Sequence, residues 1–242
     1  MLVWVQKKGI EPMQTNAIIR LDRINTVGVI ASLADLQVAS LDPSVADLFE
    51  WRVDSSLDEG VEQGIRYLEK PIILTVRDWK EGGRQSGWGT VKRCALYEQY
   101  LDVASLIDVE ASTISKLSSV VEVAKSHGKG IIISYHKLNN VPCDYEVRHH
   151  IDTHLKFGGH VFKVAVTPNS FEELCWFFER VVHWEKSYNI RIAPMAMGRF
   201  GRLSRLMAGF NRSPLIYGYL GEVSVAGQFK VSEIREMLER VW

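Results

Sequence analysis

From residue 26 onward, short runs of β-branched and aromatic residues alternate with segments of helical spacing, and this alternation restricts the fold more than any other feature. Repeated βα units of this kind are typical of an α/β protein with a parallel sheet. Between the last strands, for example, Leu174, Phe177 and Val181 recur on one face of a helix. The β-rich runs predict eight strands, at residues 27–32, 47–53, 72–77, 105–110, 130–135, 160–166, 190–195 and 214–218.

Eight βα units favour closure into a (β/α)8 TIM barrel, as a single domain over residues 26–242. The length agrees, because such barrels typically need roughly 250 residues. An open doubly wound sheet is the alternative, but no Gly-x-Gly-x-x-Gly follows the first strand. Residues 1–25 have no clear period, and we expect a short N-terminal extension outside the core.

Charge and cysteine content point to a small-molecule partner. Lys plus Arg and Asp plus Glu balance at 29 each, so no net field attracts nucleic acid or an anionic membrane. Cys94, Cys143 and Cys175 are odd in number and far apart, which favours reduced thiols over disulfides or a metal site. No stretch has the length of a membrane span or the pattern of a signal peptide, so we expect a cytoplasmic protein.

Lys163 is the most unusual residue in the predicted strands. It lies in the run 160–166, which otherwise has the composition of a fully buried strand. Burial lowers the pKa of a lysine, and an uncharged amine is a nucleophile toward a ketone. The alternative is a lysine near the strand end that extends its head to water. From this segment alone both interpretations remain open.

Other polar residues stand where the predicted strands end, the place where chemistry collects in a barrel. Glu50 and Arg52 are two apart on strand 2, so both are predicted to point into the barrel. Taken singly, they could be a structural ion pair, and the others could be surface charges or a loop histidine. His149, His150 and His154 have the spacing of a solvated helix face. The remaining candidates at this end are Arg77, Glu81, His136 and Arg205.

Six motifs follow one another along the chain. They begin with Glu50-Trp51-Arg52-Val53-Asp54, Thr75-Val76-Arg77 with Glu81-Gly82-Gly83, and Ile133-Ser134-Tyr135-His136. They continue with Phe162-Lys163-Val164-Ala165-Val166, the segment from Met197 to Arg205, and the segment from Gly221 to Gln228. Together, in this order, they resemble type I 3-dehydroquinate dehydratase over about residues 27–242.

The resemblance implies a dehydration of 3-dehydroquinate to 3-dehydroshikimate in the shikimate pathway, without metal or cofactor. Lys163 would form a Schiff base with the substrate ketone, His136 would act as general acid and base, and Glu81 would orient that histidine. Arg205 would bind the substrate carboxylate. The family often forms homodimers, so a homodimer is expected. The implied contacts to the rest of the substrate are Glu50, Arg52, Arg77 and Ser32 in the barrel, and Ser224 and Gln228 in a closing lid.

The sequence departs from the family pattern at several points. Ala226 stands where the lid motif usually has proline, and Lys137-Leu138 follow His136 where Asp-Phe is common. The connection from Ser32 to Glu50 is short, which predicts a truncated or missing first helix.

Two other functions fit the same predicted barrel. A Schiff-base class I aldolase would use the strand-6 lysine and could bind a sugar phosphate at residues 198–201. A non-catalytic binding barrel would not need Lys163 beside His136. Arg205 and the Ser224 and Gln228 lid favour a carboxylated ring as the substrate.

Overall fold

The computed structural model describes residues 19–221 and 227–241. Strands and helices alternate along the chain in the order that the sequence predicts. The strands are β1 Asn25–Ile30, β2 Leu48–Arg52, β3 Ile72–Thr75, β4 Leu106–Glu110, β5 Gly130–Lys137, β6 Val161–Val166, β7 Ile192–Ala196 and β8 Leu215–Tyr219. The helices are α1 Leu33–Leu41, α2 Glu59–Arg66, α3 Thr90–Tyr100, α4 Ser118–Ser126, α5 Asp144–Lys156, α6 Phe171–Tyr188, α7 Gly201–Phe210 and α8 Val231–Val241.

All strand pairs are parallel, and they form a nearly closed barrel. The order is β7-β6-β5-β4-β3-β2-β1-β8, so the first strand pairs with both the second and the last. The predicted (β/α)8 barrel is therefore confirmed, and the open doubly wound sheet is excluded. Register places strand ends side by side: Ser134 of β5 lies opposite Lys163 of β6, and Thr75 of β3 lies opposite Asp108 of β4.

Side chains alternate between the barrel interior and the layer beneath the helices. In β6, Val161 and Ala165 belong to the interior cluster, whereas Phe162 and Val164 pack against the helices. Lys163 is two residues from both interior positions, so it faces the inside of the barrel. This placement is what brings a buried amine to the barrel centre.

The N-terminal end of the barrel is covered by the residues just before β1. Ile19 and Leu21 pack against the interior cluster. The side-chain amide of Asn25 donates to the backbone carbonyl oxygens of Arg20 and Pro214, both at 3.0 Å. These contacts leave the opposite, C-terminal end as the open side of the barrel.

The short connection after β1 still forms a helix. Ser32 caps α1 by accepting a hydrogen bond from the backbone N–H of Asp35 at 3.2 Å, and the helix runs for nine residues. The sequence predicted a truncated or missing first helix, and the structure shows that this helix is present but short. None of the described helices is long and apolar enough to cross a membrane.

One prediction about α5 is wrong. His154 is 2% exposed, and its ring packs against Phe162 with centroids 5.8 Å apart, so it is not on a solvated face. The reason is helical spacing: Val147, Ile151 and His154 follow each other at intervals of four and three, which places all three on the buried side.

Candidate active site

Lys163 lies at the centre of the barrel with two carboxylates around it. Its Nζ donates to Oε1 of Glu50 at 3.0 Å and to Oδ2 of Asp108 at 2.9 Å. The lysine side chain is 4% exposed, so it does not extend to bulk water. Nζ also lies over the ring of Tyr217, 4.0 Å from its centroid. The interpretation of Lys163 as a lysine that reaches the solvent is thus wrong.

Arg77 is the second buried cation of this cluster. Its guanidinium donates to Asp108 at 2.8 Å, to Glu110 at 2.9 Å and to the hydroxyl of Ser134 at 2.7 Å. Burial disfavours its charge, but Asp108, Glu110 and Glu50 raise the pKa of Arg77 well above its ordinary value. Arg77 is a fixed cation that holds the carboxylates of β4 in place, and it is not a surface charge at a strand end.

Asp108 connects the two cations. Burial favours its neutral form, but Arg77 and Lys163 together hold the pKa of this carboxyl well below its usual range. The hydroxyl of Ser134 donates to its other oxygen at 2.5 Å. Asp108 is therefore an anion at neutral pH.

His136 follows Ser134 on the same face of β5, and Glu81 holds it. Oε2 of Glu81 accepts from the backbone N–H of His136 at 2.9 Å and lies 3.0 Å from Nδ1 of its ring. Burial lowers the pKa of His136 well below its ordinary value, and the positive charges of Arg77 and Lys163 lower it further. The imidazole is therefore neutral at neutral pH.

Glu81 itself has a perturbed acidity. Burial raises its pKa to about 7, against the effect of the Ser112 hydroxyl, which donates to Oε1. The Glu81 carboxyl thus gains or loses its proton near neutral pH while in contact with the histidine ring. The predicted pairing of these two residues is present in the structure.

Arg52 lies at the mouth of the barrel and does not contact Lys163. It forms a two-pronged ion pair with Asp54, with distances of 2.9 and 2.8 Å, and reaches the carbonyl of Gly82 at 3.3 Å. Asp54 also accepts from the backbone N–H of Arg84 at 3.0 Å. These bonds fasten the loop after β3, which carries Glu81, to the end of β2.

Arg205 is buried between α7 and the ends of β7 and β8. Its guanidinium donates to the carbonyl oxygens of Ala196, Gly201 at 3.2 Å and Tyr217 at 3.4 Å. It also lines a small cavity with Leu238 of α8. Burial lowers the pKa of Arg205 to about 10, and no carboxylate of the described residues pairs with it. The structure does not bring this guanidinium into the Lys163 cluster.

Two of the remaining predicted contacts, Ser32 and Gln228, lie at the rim. The hydroxyl of Ser32 donates to Asp35 at 2.8 Å, so it is already used in capping α1. Gln228 is half-buried, and its Oε1 accepts no hydrogen bond from any described residue. Ser224 and Ala226 lie outside the described residues. Of the predicted set, Lys163, Glu50 and Arg77 meet in one cluster, with His136 and Glu81 beside it.

Gly227, in the segment predicted to form a lid, is packed closely against the loop after β7. Gly227 has φ +83, and a Cβ there would stand 1.9 Å from the carbonyl oxygen of Gly198. A Cβ on Gly201 would likewise meet the carbonyl oxygen of Gly227 at 2.3 Å. Glycine is required on both sides of this contact, so Gly227 fixes the end of the segment in place.

Sequence reasoning missed Asp108, Glu110 and Tyr217. The signal for the two acids was present, since Asp108 and Glu110 are two apart in an otherwise apolar run and share one face. A buried carboxylate needs a partner as much as a buried amine does. Tyr217 gave no signal, because a tyrosine in a strand is ordinary.

The arrangement provides an amine, a neutral imidazole, and carboxylates that can accept hydrogen bonds from hydroxyl groups, all within one polar cluster. Nucleophilic attack followed by proton transfer is the chemistry such a set supports. Within residues 19–221 and 227–241, no group of three or more His, Cys, Asp or Glu side chains could hold a metal ion.

Fold and site together define a (β/α)8-barrel enzyme with a buried lysine at its centre. The family model for type I 3-dehydroquinase matches residues 26–241, which is most of the chain. The chain belongs to the type I 3-dehydroquinase family, and it is an enzyme of the hydro-lyase class.

A sequence relative agrees with this assignment, and two solved structures share the fold. A 3-dehydroquinate dehydratase from Shouchella clausii is 30% identical over 210 residues, which cover 80% of this chain and 80% of that protein. The crystal structure of 3-dehydroquinate dehydratase from Geobacillus kaustophilus has a TM-score of 0.79 at 21% identity, covering 90% of each chain. The type I enzyme from Clostridium difficile has a TM-score of 0.76 at 24% identity, covering 90% of this chain and 91% of that one.

Proposed function

We propose that this protein converts 3-dehydroquinate to 3-dehydroshikimate and water through a Schiff base on Lys163, as a step of the shikimate pathway. The observation that carries the proposal is the position of Lys163, buried at the barrel centre between two carboxylates, with His136 two residues beyond its register partner Ser134. The identity of the substrate is inferred from membership of the type I 3-dehydroquinase family. The structure of the Clostridium difficile relative contains covalently modified comenic acid, which supports covalent chemistry in such a site.

The proposed first step joins the Lys163 amine to the substrate ketone. Nζ gives one proton to His136 and attacks the carbonyl carbon to form the C–N bond. The carbonyl oxygen takes a second proton from Nζ to become a hydroxyl, and His136 returns the first proton as the C–O bond breaks and water leaves. Ammonium and ketone together give one protonated imine and one water, so the proton count balances. The cationic imine withdraws electrons and makes the proton on the neighbouring carbon removable.

His136 is the proposed base for that proton. Because its pKa is held well below the ordinary value, its imidazole is free to accept a proton at neutral pH. With Nδ1–H donated to Glu81, the lone pair of Nε2 is available to the substrate. The same nitrogen then returns the proton to the departing hydroxyl. The C–O bond breaks, and water leaves as the ring gains its double bond. One water then hydrolyses the product imine, which breaks the C–N bond, releases 3-dehydroshikimate and restores the Lys163 amine.

Substrate hydroxyls are assigned to Glu50, Arg52 and Arg77. Glu50 uses Oε1 for Thr75 and Lys163, while Oε2 accepts no hydrogen bond from a described residue and can accept one from a ligand. Arg52 faces the barrel mouth, whereas Arg77 is occupied by protein carboxylates and acts mainly through its charge.

The substrate carboxylate is assigned to Arg205, and Gln228, Ser224 and Ser32 are assigned as further substrate contacts. Nη2 of Arg205 donates to no described residue, so this nitrogen remains for a ligand. To bind at the barrel mouth, the guanidinium has to turn from the backbone carbonyls that hold it. A buried cation with only neutral partners gains most from an anion.

We further propose a cytoplasmic homodimer, as the family resemblance implies. Light scattering of the purified chain at several concentrations tests the dimer. A mass of about 27.5 kDa at every concentration would exclude it.

The function is tested by turnover. Purified protein is mixed with 3-dehydroquinate, and the conjugated product is followed by its ultraviolet absorbance. Lys163→Arg is the matched variant, because it keeps a cation for Glu50 and Asp108 but removes the nucleophilic amine. The wild-type chain is expected to form product and Lys163→Arg to form none. Turnover of aldol substrates in place of 3-dehydroquinate would contradict the proposal and support the aldolase.

A further inference from the structure

Tyr217 of β8 contacts the amine of Lys163 through the face of its ring. Nζ is 4.0 Å from the ring centroid, within the range of a cation–π contact. The tyrosine is 2% exposed and its hydroxyl is buried without a hydrogen-bond partner among the described residues. A buried hydroxyl without a partner is rare, because it costs free energy.

Tyr97 provides a comparison, because it is a tyrosine of this protein whose hydroxyl is held by hydrogen bonds. It is also buried, but its oxygen donates to the carbonyl of Asp108 at 2.6 Å and accepts from the N–H of Val76 at 3.2 Å. Tyr217 has neither kind of bond. What Tyr217 contributes to the site is therefore its ring face, which points at the only described ammonium in the barrel interior.

The number of N–H groups on Nζ changes during the proposed reaction. An ammonium has three N–H donors, and two of them bond to Glu50 and Asp108 here. A protonated imine keeps the positive charge but has one N–H. Lys163 must therefore give up at least one of its two carboxylate hydrogen bonds on forming the imine. The attraction between a positive charge and a ring face does not depend on an N–H donor. It therefore persists when the ammonium becomes an imine.

We propose that Tyr217 is a positioning residue for Lys163, whose ring face holds the nitrogen and stabilises its positive charge first as ammonium and then as imine. This inference rests on the proposed Schiff-base function. The backbone carbonyl of Tyr217 accepts from Nε of Arg205 at 3.4 Å. One residue of β8 thus contacts both the nitrogen that would bind the ketone and the guanidinium assigned to the carboxylate.

A simpler reading is that the ring only fills the barrel. Tyr217 belongs to the interior apolar cluster with Val27, Leu215 and others. If filling were its whole role, any ring of the same shape would serve equally. If the ring face binds the cation, a ring with less electron density on its face would bind it more weakly. Fluorination separates the two readings, because it withdraws electron density with little change of shape.

The experiment replaces Tyr217 by phenylalanine and by phenylalanines carrying one, two and three ring fluorines. Each variant is mixed with 3-dehydroquinate and borohydride, and the amount of adduct on Lys163 is measured by mass spectrometry, together with kcat and KM. The same fluorinated residues at Phe177, a buried ring on α6 outside the barrel interior, serve as the control. Thermal melting of every variant shows that the folded proteins are being compared.

Tyr217→Phe is the reference for the fluorinated series, and its melting temperature is expected to equal or exceed that of the wild-type chain, because it removes an unpartnered buried hydroxyl. The adduct should fall stepwise with fluorination, by about tenfold at three fluorines, while Phe177 variants stay unchanged. Equal yields across the folded series would overturn the inference. If even the wild-type chain forms no adduct, the proposed function fails instead, so the two failures are distinguishable.

Discussion

The Nζ of Lys163 is 2.9 Å from Oδ2 of Asp108, and the same carboxylate oxygen accepts from Arg77 at 2.8 Å. One buried anion therefore separates two buried cations. Without it, Lys163 would keep Glu50, at 3.0 Å, as its carboxylate partner. Arg77 would keep Glu110, at 2.9 Å, with Glu50 3.9 Å away. This relationship makes Asp108 the residue on which the charge balance of the site depends.

Asp108→Asn is expected to destabilise the fold. Removing one partner from a buried ion cluster leaves uncompensated charge, which costs about 3–5 kcal/mol. Denaturant unfolding measures the change in the free energy of unfolding. Asp102→Asn is the control, because Asp102 is a half-exposed partner of Arg66 and its loss should cost less than about 1 kcal/mol. Equal effects of the two variants would show that Asp108 carries no special share of the charge balance.

The pH dependence of turnover is expected to follow Glu81. Its pKa is raised to about 7, so the carboxyl is protonated on the acid side and ionised above. Only the ionised form accepts Nδ1–H of His136 and leaves Nε2 free as a base. We expect kcat/KM to rise with pH through about 7 and then level off.

Glu81→Gln should lower kcat/KM and remove this rise, since the amide does not titrate. Glu122→Gln, on the exposed side of α4, should leave the profile unchanged. A rise through the same pH range in Glu81→Gln would assign it to a different group.

Arg205→Lys is expected to raise KM for 3-dehydroquinate by about tenfold or more with a smaller effect on kcat, because a lysine cannot reproduce the planar guanidinium. A substrate analogue with the carboxylate reduced to an alcohol should bind both proteins equally weakly. Isothermal calorimetry with the analogue provides the comparison. If the variant loses affinity for the analogue as much as for the acid, Arg205 has a structural role in packing α7 and none in carboxylate binding.

His154 is expected to make the fold sensitive to acid. Burial, with a smaller contribution from the charge of nearby His160, lowers the pKa of His154 to about 4. An unfolded histidine titrates near 6.5, so the stability that neutral His154 allows is present above about pH 6.5 and is lost as pH falls toward 4.

The size of this loss is about 3 kcal/mol across that window, from the difference between the two pKa values. His154→Leu should flatten this part of the stability curve, measured by denaturant unfolding at a series of pH values. His127→Leu, at the exposed end of α4, should not flatten it.

The fold could be predicted because each strand has its own local signal. Every predicted strand overlaps an observed one, and the differences are at the ends, as at β3, which stops at Thr75 and leaves Arg77 beyond it. The barrel followed from counting the units and from the rule that parallel strands need crossover helices. The residue at which a strand ends depends on the hydrogen bonds that the neighbouring strand can complete. A single sequence does not contain this information.

The site could be predicted in part. Lys163, Glu50 and His136 stand out because they are polar residues in or directly after buried runs. The ion pairs that hold them depend on register between strands that are distant in sequence, such as Asp108 in β4 and Lys163 in β6. Arg205 was predicted at the barrel mouth from its motif, but its guanidinium bonds to backbone carbonyls between α7 and the strands. The rotation of α7 about its axis sets the direction of the guanidinium. This rotation cannot be derived from the spacing of residues in the sequence.

The central claim is that Lys163 forms an imine with 3-dehydroquinate, and borohydride trapping tests it most directly. Borohydride reduces a protonated imine to a stable amine, so the covalent adduct survives digestion and mass spectrometry. We predict one adduct per chain, on the peptide containing Lys163, that requires both 3-dehydroquinate and borohydride and is absent from Lys163→Arg. No adduct, or an adduct on another lysine that persists in Lys163→Arg, would contradict the account.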